Sequence, residues 1–427
     1  MAKAIFEIET ETFRKQALSW ADQFEELCFF QSNGYHDEYS NIDSILAIQA
    51  KYSFESNAQD DTFEQLEKFR AKHPNSWMPG FLSYDLKNET ENIDSNFQNK
   101  LGFPEAYFFV PKILLRFWDK SVEIESEDPK NIYTAIIRYT DQPVSDDIPT
   151  IKVQPVMSKA EYLTAFNTMQ EHIQRGDIYE INLCQEFFAE QVKINPLFLY
   201  TKLNNLSPTP FSCYFKNGSQ YILSASPERF LAKRFNKLIS QPIKGTAPRG
   251  ETSEEDERIK QTLRSNPKEI AENVMIVDLV RNDLTRSAMP GTVKTDKQFE
   301  IHSFNQVHQL ISTISCQLSS DTSAIQAIKN TFPAGSMTGA PKISAMQLCE
   351  LYEFSKRGPY AGALGYFDPD NDFDFNVVIR SILYNRETGY LSFHTGGAIT
   401  LEANGEKEYE ECLLKASAIL NVLKATP

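Results

Sequence analysis

Residues 360–399 read YAGALGYFDPDNDFDFNVVIRSILYNRETGYLSFHTGGAI, and this stretch decides the fold class. Three strand-like runs occupy residues 360–367, 374–384 and 390–399. The segments between them, 368–372 and 385–389, have the turn chemistry that joins antiparallel strands in a meander. Because the predicted helices come in separate blocks, the pattern favours an α+β fold over a doubly wound parallel sheet.

The helices that frame this stretch carry clear end signals. Ser158 and Glu161 form a capping box, apolar residues follow at helical spacing, and Gly176 is placed to end the first helix. Three further helices are predicted: from Pro267 to about residue 283, from the N-cap Thr338 with Pro341 in the first turn, and over about 405–424.

The charge and composition exclude several classes of partner. The 427 residues carry a formal net charge of −15, which argues against nucleic acid or an anionic membrane. No apolar run reaches the length of a membrane span, and residues 1–14 lack a secretory signal pattern. The six cysteines and six histidines show no metal-binding spacing. We therefore expect a cytoplasmic protein with reduced thiols and no bound membrane.

The segment 141–157 has the composition of a connection, with three prolines and two adjacent aspartates. It predicts two regions, 1–145 and 146–427. The motifs with candidate chemistry lie almost entirely in the second region.

Lys244 occupies an unusual place, between a rigid Pro-Ile and a Gly-Thr turn in the run 242–246. If this turn is buried, the pKa of the lysine is expected to fall, which would make it a nucleophile or a base. If the turn is exposed, the lysine is a solvated surface charge. Glu228 stands sixteen residues earlier, and two strands with a turn could bring the pair together as acid and base.

Carboxylates on two predicted helices are candidates for a metal site. Glu408, Glu411 and Lys415 share one face of the last helix, at the border of its apolar stripe. Glu272 has a similar position on the second helix. Such a set suits Mg²⁺ with few protein ligands. Ordinary surface salt bridges would explain the same spacing.

Two small-residue segments could approach a ligand closely. Residues 335–342, GSMTGAPK, form a loop before a helix and could cradle a carboxylate or phosphate, or simply cap the helix. Gly396 and Gly397 end a strand, where they would allow close backbone contact or mark a bulge.

Six ordered motifs within about 158–424 resemble those of the chorismate-utilising enzymes. The motifs are SPERF (226–230), PIKGT (242–246), ENVMIVDLVRNDL (272–284), GSMTGAPK (335–342), VVIRS (377–381) and EYEECLLK (408–415). This family includes component I of anthranilate synthase and of aminodeoxychorismate synthase, and the isochorismate and salicylate synthases. The resemblance implies an anthranilate synthase component I-like fold, in which antiparallel β-sheets form a sandwich with helices outside.

The residue at position 244 sorts the members of this family. Anthranilate synthases have PIAGT, whereas lysine is the mark of aminodeoxychorismate synthase component I. The resemblance therefore implies amination of chorismate at C4 for folate biosynthesis, by attack of Lys244 on C2 and then of ammonia on C4. The chain has no G-x-C-x-G glutaminase elbow. A separate glutamine amidotransferase subunit, or free ammonia, would supply the nitrogen.

The resemblance also implies roles for individual residues. Glu228 would be the general acid or base, and Mg²⁺ would bind Glu272 and Glu411 with Glu408 close by. Tyr360 and Arg380 would hold the enolpyruvyl carboxylate. The other substrate-binding residues would be Ser336, Thr246, Gly396, Gly397, Lys415 and Gln309. A tryptophan pocket, regulatory or structural, is implied at Ser32, Tyr84 and Asp85.

Three residues depart from the family pattern. Glu180 stands where ammonia users have glutamine and hydroxylating members have a water-activating lysine. Gln309 replaces a common histidine, with His308 expected to point elsewhere, and Ala398 replaces a third glycine. Two alternatives remain open: an anthranilate synthase component I, and a non-catalytic relative with a binding or regulatory role.

Overall fold

The computed structural model describes residues 1–40, 42–57, 60–91, 93–95, 97–140, 150–305 and 307–425. The strands are β1 (Ala2–Glu7), β2 (Glu26–Gln31), β3 (Ser44–Ser56), β4 (Met78–Leu82), β5 (Ala106–Trp118), β6 (Ser121–Ser126), β7 (Gln154–Pro155), β8 (Glu180–Ala189), β9 (Phe211–Asn217), β10 (Gln220–Ser226), β11 (Arg229–Arg234), β12 (Lys237–Gln241), β13 (Ile243–Pro248), β14 (Lys294–Ser303), β15 (Val307–Gln317), β16 (Gly339–Ala340), β17 (Ala363–Phe367), β18 (Phe373–Val377), β19 (Ser381–Asn385) and β20 (Tyr390–Ile399). The α-helices are α1 (Thr10–Ala21), α2 (Thr62–Lys72), α3 (Lys87–Thr90), α4 (Pro129–Arg138), α5 (Lys159–Arg175), α6 (Pro196–Leu206), α7 (Ser253–Ser265), α8 (Pro267–Thr285), α9 (Ala324–Thr331), α10 (Lys342–Tyr352) and α11 (Gly405–Val422). Two 3₁₀ helices are Tyr84–Leu86 and Gly335–Met337.

Every strand pairing among these residues is antiparallel, and the pairings follow two sheets. The first runs β1-β6-β5-β3-β2-β9-β10-β19-β20-β8, with β7 and β16 also paired to β8. The second runs β4-β17-β18-β11-β12-β15, with β13 and β14 also paired to β15. Strand β5 joins the two, because its first residues also pair with β4. The predicted α+β class with antiparallel sheets is confirmed.

Aromatic side chains fill the space between the two sheets. Phe81 of the second sheet contacts Phe215 of the first with ring centroids 5.3 Å apart. Phe30 of the first contacts Tyr366 of the second at 5.5 Å. Each large apolar ring removes much surface from water, at about 25 cal/mol per Å². This burial holds the sheets face to face, as the predicted sandwich requires.

Helices cover the outer faces of the sandwich. Helices α1, α4 and α6 contribute to an apolar cluster on the first sheet that includes Trp20 and Tyr221. Helix α8 lies against β13 and β15 of the second sheet and buries Ile276. Helices α5, α10 and α11 pack at the β8–β20 edge around Tyr162. Within the described chain, no helix is both long and apolar enough to cross a bilayer.

The predicted helix ends are confirmed in part. Ser158 and Glu161 form the expected capping box, and Gly176 ends α5 in the left-handed conformation with φ +83°. Pro267 begins α8 as expected. The prediction that Thr338 caps the third helix is wrong, because its hydroxyl donates to the Gly335 carbonyl and α10 begins only at residue 342.

The single strand predicted over 374–384 is wrong, because the chain changes sheets there. Strand β18 pairs with β11 in the second sheet, whereas β19 pairs with β10 in the first. The crossing occurs between the two strands, where Arg380 has φ +51°. This break gives Arg380 a position at the junction of the sheets.

The two regions predicted from the sequence share both sheets. Strand β2 pairs with β9 in the first sheet, and β4 pairs with β17 in the second. The predicted boundary at residues 145–146 lies outside the described residues, so the division remains a prediction.

Arg229, next to Glu228, is buried in an ion-pair network. Its guanidinium donates to Asp374 at 3.0 Å and to Asp37 at 2.6 Å, and Arg234 also pairs with Asp374. Burial would raise the pKa of Asp37, but Arg229 outweighs burial and lowers it to about 2. This network anchors the chain where Glu228 enters the site.

Replacement Arg229→Met is expected to lower the free energy of unfolding by about 3 kcal/mol, because buried Asp374 loses a charged partner. Urea unfolding at neutral pH measures this change. The control Arg281→Met removes an exposed i,i+3 pair and should change it by less than about 0.5 kcal/mol. Equal stabilities of the two variants would contradict the assignment.

Candidate active site

The side chain of Lys244 points into the protein because β13 contains a bulge. Its pairing with β15 shifts register between Ile243 and Thr246. Gly245, inside the bulge, has φ +99°, and a Cβ there would lie 2.9 Å from Glu269 Oε2. A bulge of this kind re-aims a side chain. Lys244 is only 9% exposed, so the surface alternative is wrong.

The ammonium of Lys244 forms an ion pair with Glu180 of β8. Nζ donates to Glu180 Oε1 at 2.6 Å, and Glu180 is 1% exposed. Burial alone would lower the pKa of Lys244, but Glu180, with Glu272 and Glu228 nearby, outweighs burial and raises it. The expectation of a lowered pKa for Lys244 is therefore wrong. The amine must give up a proton before it can attack.

Glu228 lies in the same site with its proton available. It follows β10, and its Oε1 accepts a hydrogen bond from Ser336 Oγ at 2.6 Å. Burial raises the pKa of Glu228 to about 7, against the opposing effects of Ser336, Lys244 and Arg380. A carboxyl with this pKa can donate a proton at neutral pH. The structure therefore brings Glu228, Ser336 and Lys244 together, as predicted.

Two helices bring the predicted metal ligands to one pocket. Glu272 of α8 and Glu408 of α11 are buried, and Lys268 Nζ lies 3.7 Å and 3.8 Å from their Oε1 atoms. Glu411 pairs with Lys415 at 2.8 Å. Lys268 and Lys415 thus offset part of the negative charge of these three carboxylates.

The acidic pocket fits a hard divalent cation. Glu272 Oε1 is buried with no hydrogen-bond partner among the described residues, and burial raises the pKa of Glu272 to about 7. A cation would satisfy that oxygen and favour the charged carboxylate. In the part of the chain that the structure describes, no three acidic, histidine or cysteine groups converge tightly enough to hold an ion alone. Water or substrate oxygens would complete the coordination.

Gly396 and Gly397 permit a close approach and do not form a bulge. The pairing of β20 with β8 continues through both without a register shift. A Cβ on Gly396 would lie 2.6 Å from Asn182 Oδ1, and one on Gly397 would lie 2.7 Å from Glu408 Oε2. Lys415 Nζ donates to the Gly396 carbonyl at 2.8 Å. The two glycines therefore lie at the wall of the acidic pocket.

The remaining residues predicted to bind substrate differ in their burial and contacts. Tyr360 is buried and stacks on His394 at 4.8 Å. The positive charge of Arg380 acts on Glu228 and opposes the rise of its pKa caused by burial. Thr246 is exposed and lies opposite Gln309, whose buried Oε1 has no hydrogen-bond partner in the described residues. Gln309 Oε1 is thus a buried acceptor to which no described residue donates.

His308 points away from Gln309's side of the strand, as expected. Its ring nitrogens contact Ser303 Oγ and Asp256 Oδ1, both at 2.8 Å. His308 therefore does not replace the missing family histidine.

The residues implied for a tryptophan pocket have other contacts. Ser32, which follows β2, donates from its Oγ to Asp43 Oδ1 at 2.8 Å. Tyr84 is buried beneath the Arg357 guanidinium, 4.3 Å from its ring centroid. Burial raises the pKa of Asp85 to about 6. Tyr84 thus packs against a cation and Asp85 accepts from the Gly358 backbone at 2.9 Å, and the pocket remains a prediction.

Sequence reasoning missed two charged residues of the acidic pocket. Lys268 contacts Glu272 and Glu408, and the Glu269 carboxylate lies beside Gly245. Both precede Glu272 by three or four residues on α8, so helical spacing alone could have placed them on its face.

The family of the chain follows from a comparison over nearly its whole length. A family model described as chorismate binding enzyme matches residues 25–421. The chain belongs to the chorismate-binding enzyme family. The site built from β8, β13, α8 and α11 lies entirely within the matched residues of this chorismate-binding enzyme.

Two kinds of name recur among the similar curated proteins described here. Aminodeoxychorismate synthase of Streptomyces griseus is 40% identical over 263 residues, which are 61% of this chain and 36% of that protein. Aminodeoxychorismate synthase component 1 of Klebsiella aerogenes is 31% identical over 81% of this chain and 77% of its own length. The anthranilate synthase component I-like protein of Synechocystis is 31% identical over 82% and 72%. The chorismate-binding enzyme therefore spans about a third of the Streptomyces griseus relative.

Solved structures support the fold. Anthranilate synthase component I from Streptococcus pneumoniae has a TM-score of 0.78 at 25% identity, covering 91% of this chain and 95% of that chain. The menaquinone-specific isochorismate synthase MenF from Escherichia coli has a TM-score of 0.77 at 17% identity, covering 99% and 95%. The second likeness concerns the fold alone.

Proposed function

We propose that this chorismate-binding enzyme is an aminodeoxychorismate synthase component I, which converts chorismate and ammonia to 4-amino-4-deoxychorismate for folate biosynthesis. One observation carries the proposal: the amine of Lys244 is buried in the site beside a protonatable Glu228. A lysine here supplies a nucleophile for C2, which directs the later attack of ammonia to C4.

Two residues carry the chemistry of the reaction: Lys244 as the nucleophile and Glu228 as the acid. Lys244 attacks C2 as a neutral amine while the C4 hydroxyl departs, and Glu228 donates the proton that makes it leave as water. Ammonia then attacks C4, and the C2–N bond breaks to release Lys244. Ser336 holds Glu228 through its 2.6 Å hydrogen bond. Tyr360 and Arg380 orient the enolpyruvyl carboxylate.

The acidic pocket would bind Mg²⁺ through Glu272 and Glu411, with Glu408 close by. The chemistry that Mg²⁺ supplies there is neutralisation of the ring carboxylate. Lys415 lies beside Gly396 at 2.8 Å and would add a second positive charge near that carboxylate. These contacts would hold C2 towards Lys244.

The nitrogen source is proposed to be a separate glutamine amidotransferase subunit. The Klebsiella aerogenes relative is named component 1. The chain contains no G-x-C-x-G elbow. Free ammonia at high pH would replace the partner in an assay.

The test is product identification by mass after incubation with chorismate, Mg²⁺ and ammonium at high pH. We expect 4-amino-4-deoxychorismate, with its formation stopped by EDTA and restored by excess Mg²⁺. The similarity to anthranilate synthase component I makes anthranilate and pyruvate the rival products. Their appearance would overturn the proposal, and absence of turnover would favour a non-catalytic relative.

A further inference from the structure

Glu180 is held against Lys244 by the surrounding backbone. It begins β8 and lies opposite Ala340 in the β16 pairing. A Cβ on Gly339 would lie 2.2 Å from the Glu180 carbonyl oxygen, so β16 packs directly on this residue. This packing fixes the backbone of Glu180, and its side chain places Oε1 2.6 Å from Lys244 Nζ.

The carboxylate of Glu180 has spare capacity to accept a proton. Its Oε2 is buried and has no hydrogen-bond partner among the described residues. Lys244 is only 9% exposed, so near pH 7 the carboxylate in contact with Nζ is a nearer acceptor for its proton than bulk water. The carboxylate already contacts the ammonium through Oε1, and no other described donor occupies Oε2, so this carboxylate is the destination for the proton.

Other acidic groups surround Lys244 but have different contacts. Glu228, from the β10–β11 turn, faces it while bonded to Ser336. Glu272 and Glu269 face it from α8, and Glu408 and Glu411 face it from α11. In the hydrogen bonds of the described chain, Glu180 is the carboxylate that accepts from Nζ.

We propose that Glu180 is the catalytic base that takes the proton from Lys244 as the amine attacks chorismate, an inference that rests on the proposed function. The proton moves from Nζ to Oε1, which leaves a neutral amine and a neutral carboxylic acid. The C2–N bond then forms as the C4–O bond breaks, and the Glu228 proton leaves with the hydroxyl as water.

The second half of the reaction restores both groups. Ammonia forms the C4–N bond as the C2–N bond breaks, and Lys244 departs as a neutral amine. Glu180 returns its proton to Lys244, and the new C4 ammonium gives one proton to Glu228. The sum is chorismate plus ammonia giving 4-amino-4-deoxychorismate plus water, with no other reactant.

The test is the rate at which chorismate adds to Lys244 in the absence of ammonia, followed by intact-protein mass spectrometry. Glu180→Gln should slow this step about 10²-fold near pH 7, since no base receives the proton. The deficit relative to wild type should shrink at least about tenfold by pH 9.5, because solvent then removes the proton. Glu228 titrates in both proteins, so the ratio of the variant rate to the wild-type rate at each pH removes its effect from the comparison.

Two further variants separate proton transfer from structure. Glu180→Asp keeps a base and should recover part of the rate near pH 7. Glu186→Gln removes another buried carboxylate of β8, one bonded to Tyr390, and should react like wild type. A purely structural role for Glu180 would give the same deficit at every pH and no recovery with aspartate.

The possible results distinguish a failure of this inference from a failure of the proposed function on which it rests. A wild-type protein that makes no 4-amino-4-deoxychorismate overturns the proposed function, and the inference with it. A wild type that makes this product, with a Glu180→Gln rate within threefold near pH 7 or a deficit independent of pH, overturns the inference alone.

Discussion

Replacing Lys244 by alanine is expected to lower the rate of 4-amino-4-deoxychorismate formation by more than about 10³-fold, because the reaction loses its nucleophile. The variant should also form no covalent adduct with chorismate, whereas the wild type should gain the mass of chorismate less water. Intact-protein mass spectrometry and product analysis measure the two effects separately.

The control for this prediction must allow for the ion pair that is lost. Removal of Lys244 leaves Glu180 buried without its partner, which costs stability unless the carboxyl takes a proton. The double variant with Lys244→Met and Glu180→Gln removes both charges, so its thermal midpoint shows whether inactivity reflects unfolding. Lys260→Ala, which removes an exposed i,i+3 pair, should keep full activity. Unchanged amination by Lys244→Ala would exclude covalent catalysis.

The sequence predicted the elements whose signals are local. The capping box of α5, the proline that begins α8 and the run of β20 at 390–399 each depend on neighbouring residues, and the structure confirms them. The division at residue 380 depends instead on which strands pair far away in the chain. No local pattern distinguishes one long strand from two that belong to different sheets.

The sequence motifs predicted the individual residues of the candidate site. They did not predict the contacts that set its chemistry, because these contacts join segments that are distant in the sequence. Glu180 was recognised only as a departure from the family pattern. In the structure its Oε1 lies 2.6 Å from Nζ of Lys244, although Lys244 follows it by sixty-four residues in the sequence. The expected pKa of Lys244 was wrong for the same reason, since burial was foreseen and the carboxylate beside it was not.

Glu228→Gln is expected to slow the covalent step by about 10²- to 10⁴-fold, because glutamine cannot deliver a proton to the departing C4 hydroxyl. Burial raises the pKa of Glu228 to about 7, so the acid form falls as the pH rises through that value. The wild-type rate of adduct formation at low chorismate should therefore decline above about pH 7. This step contains no ammonia, and the ionisation of ammonium does not enter the profile.

The stability of the same variant provides its control, with a sign fixed by linkage. The pKa of Glu228 is higher in the folded protein than in the unfolded chain, so the stability it contributes is full at low pH and is lost as the pH rises through about 7. Glutamine carries no charge to bury. Glu228→Gln should therefore unfold at or above the wild-type temperature near pH 8 while remaining inactive. A variant that is less stable there would contradict the raised pKa of Glu228, and one that keeps the wild-type rate and its decline with pH would show that another group is the acid.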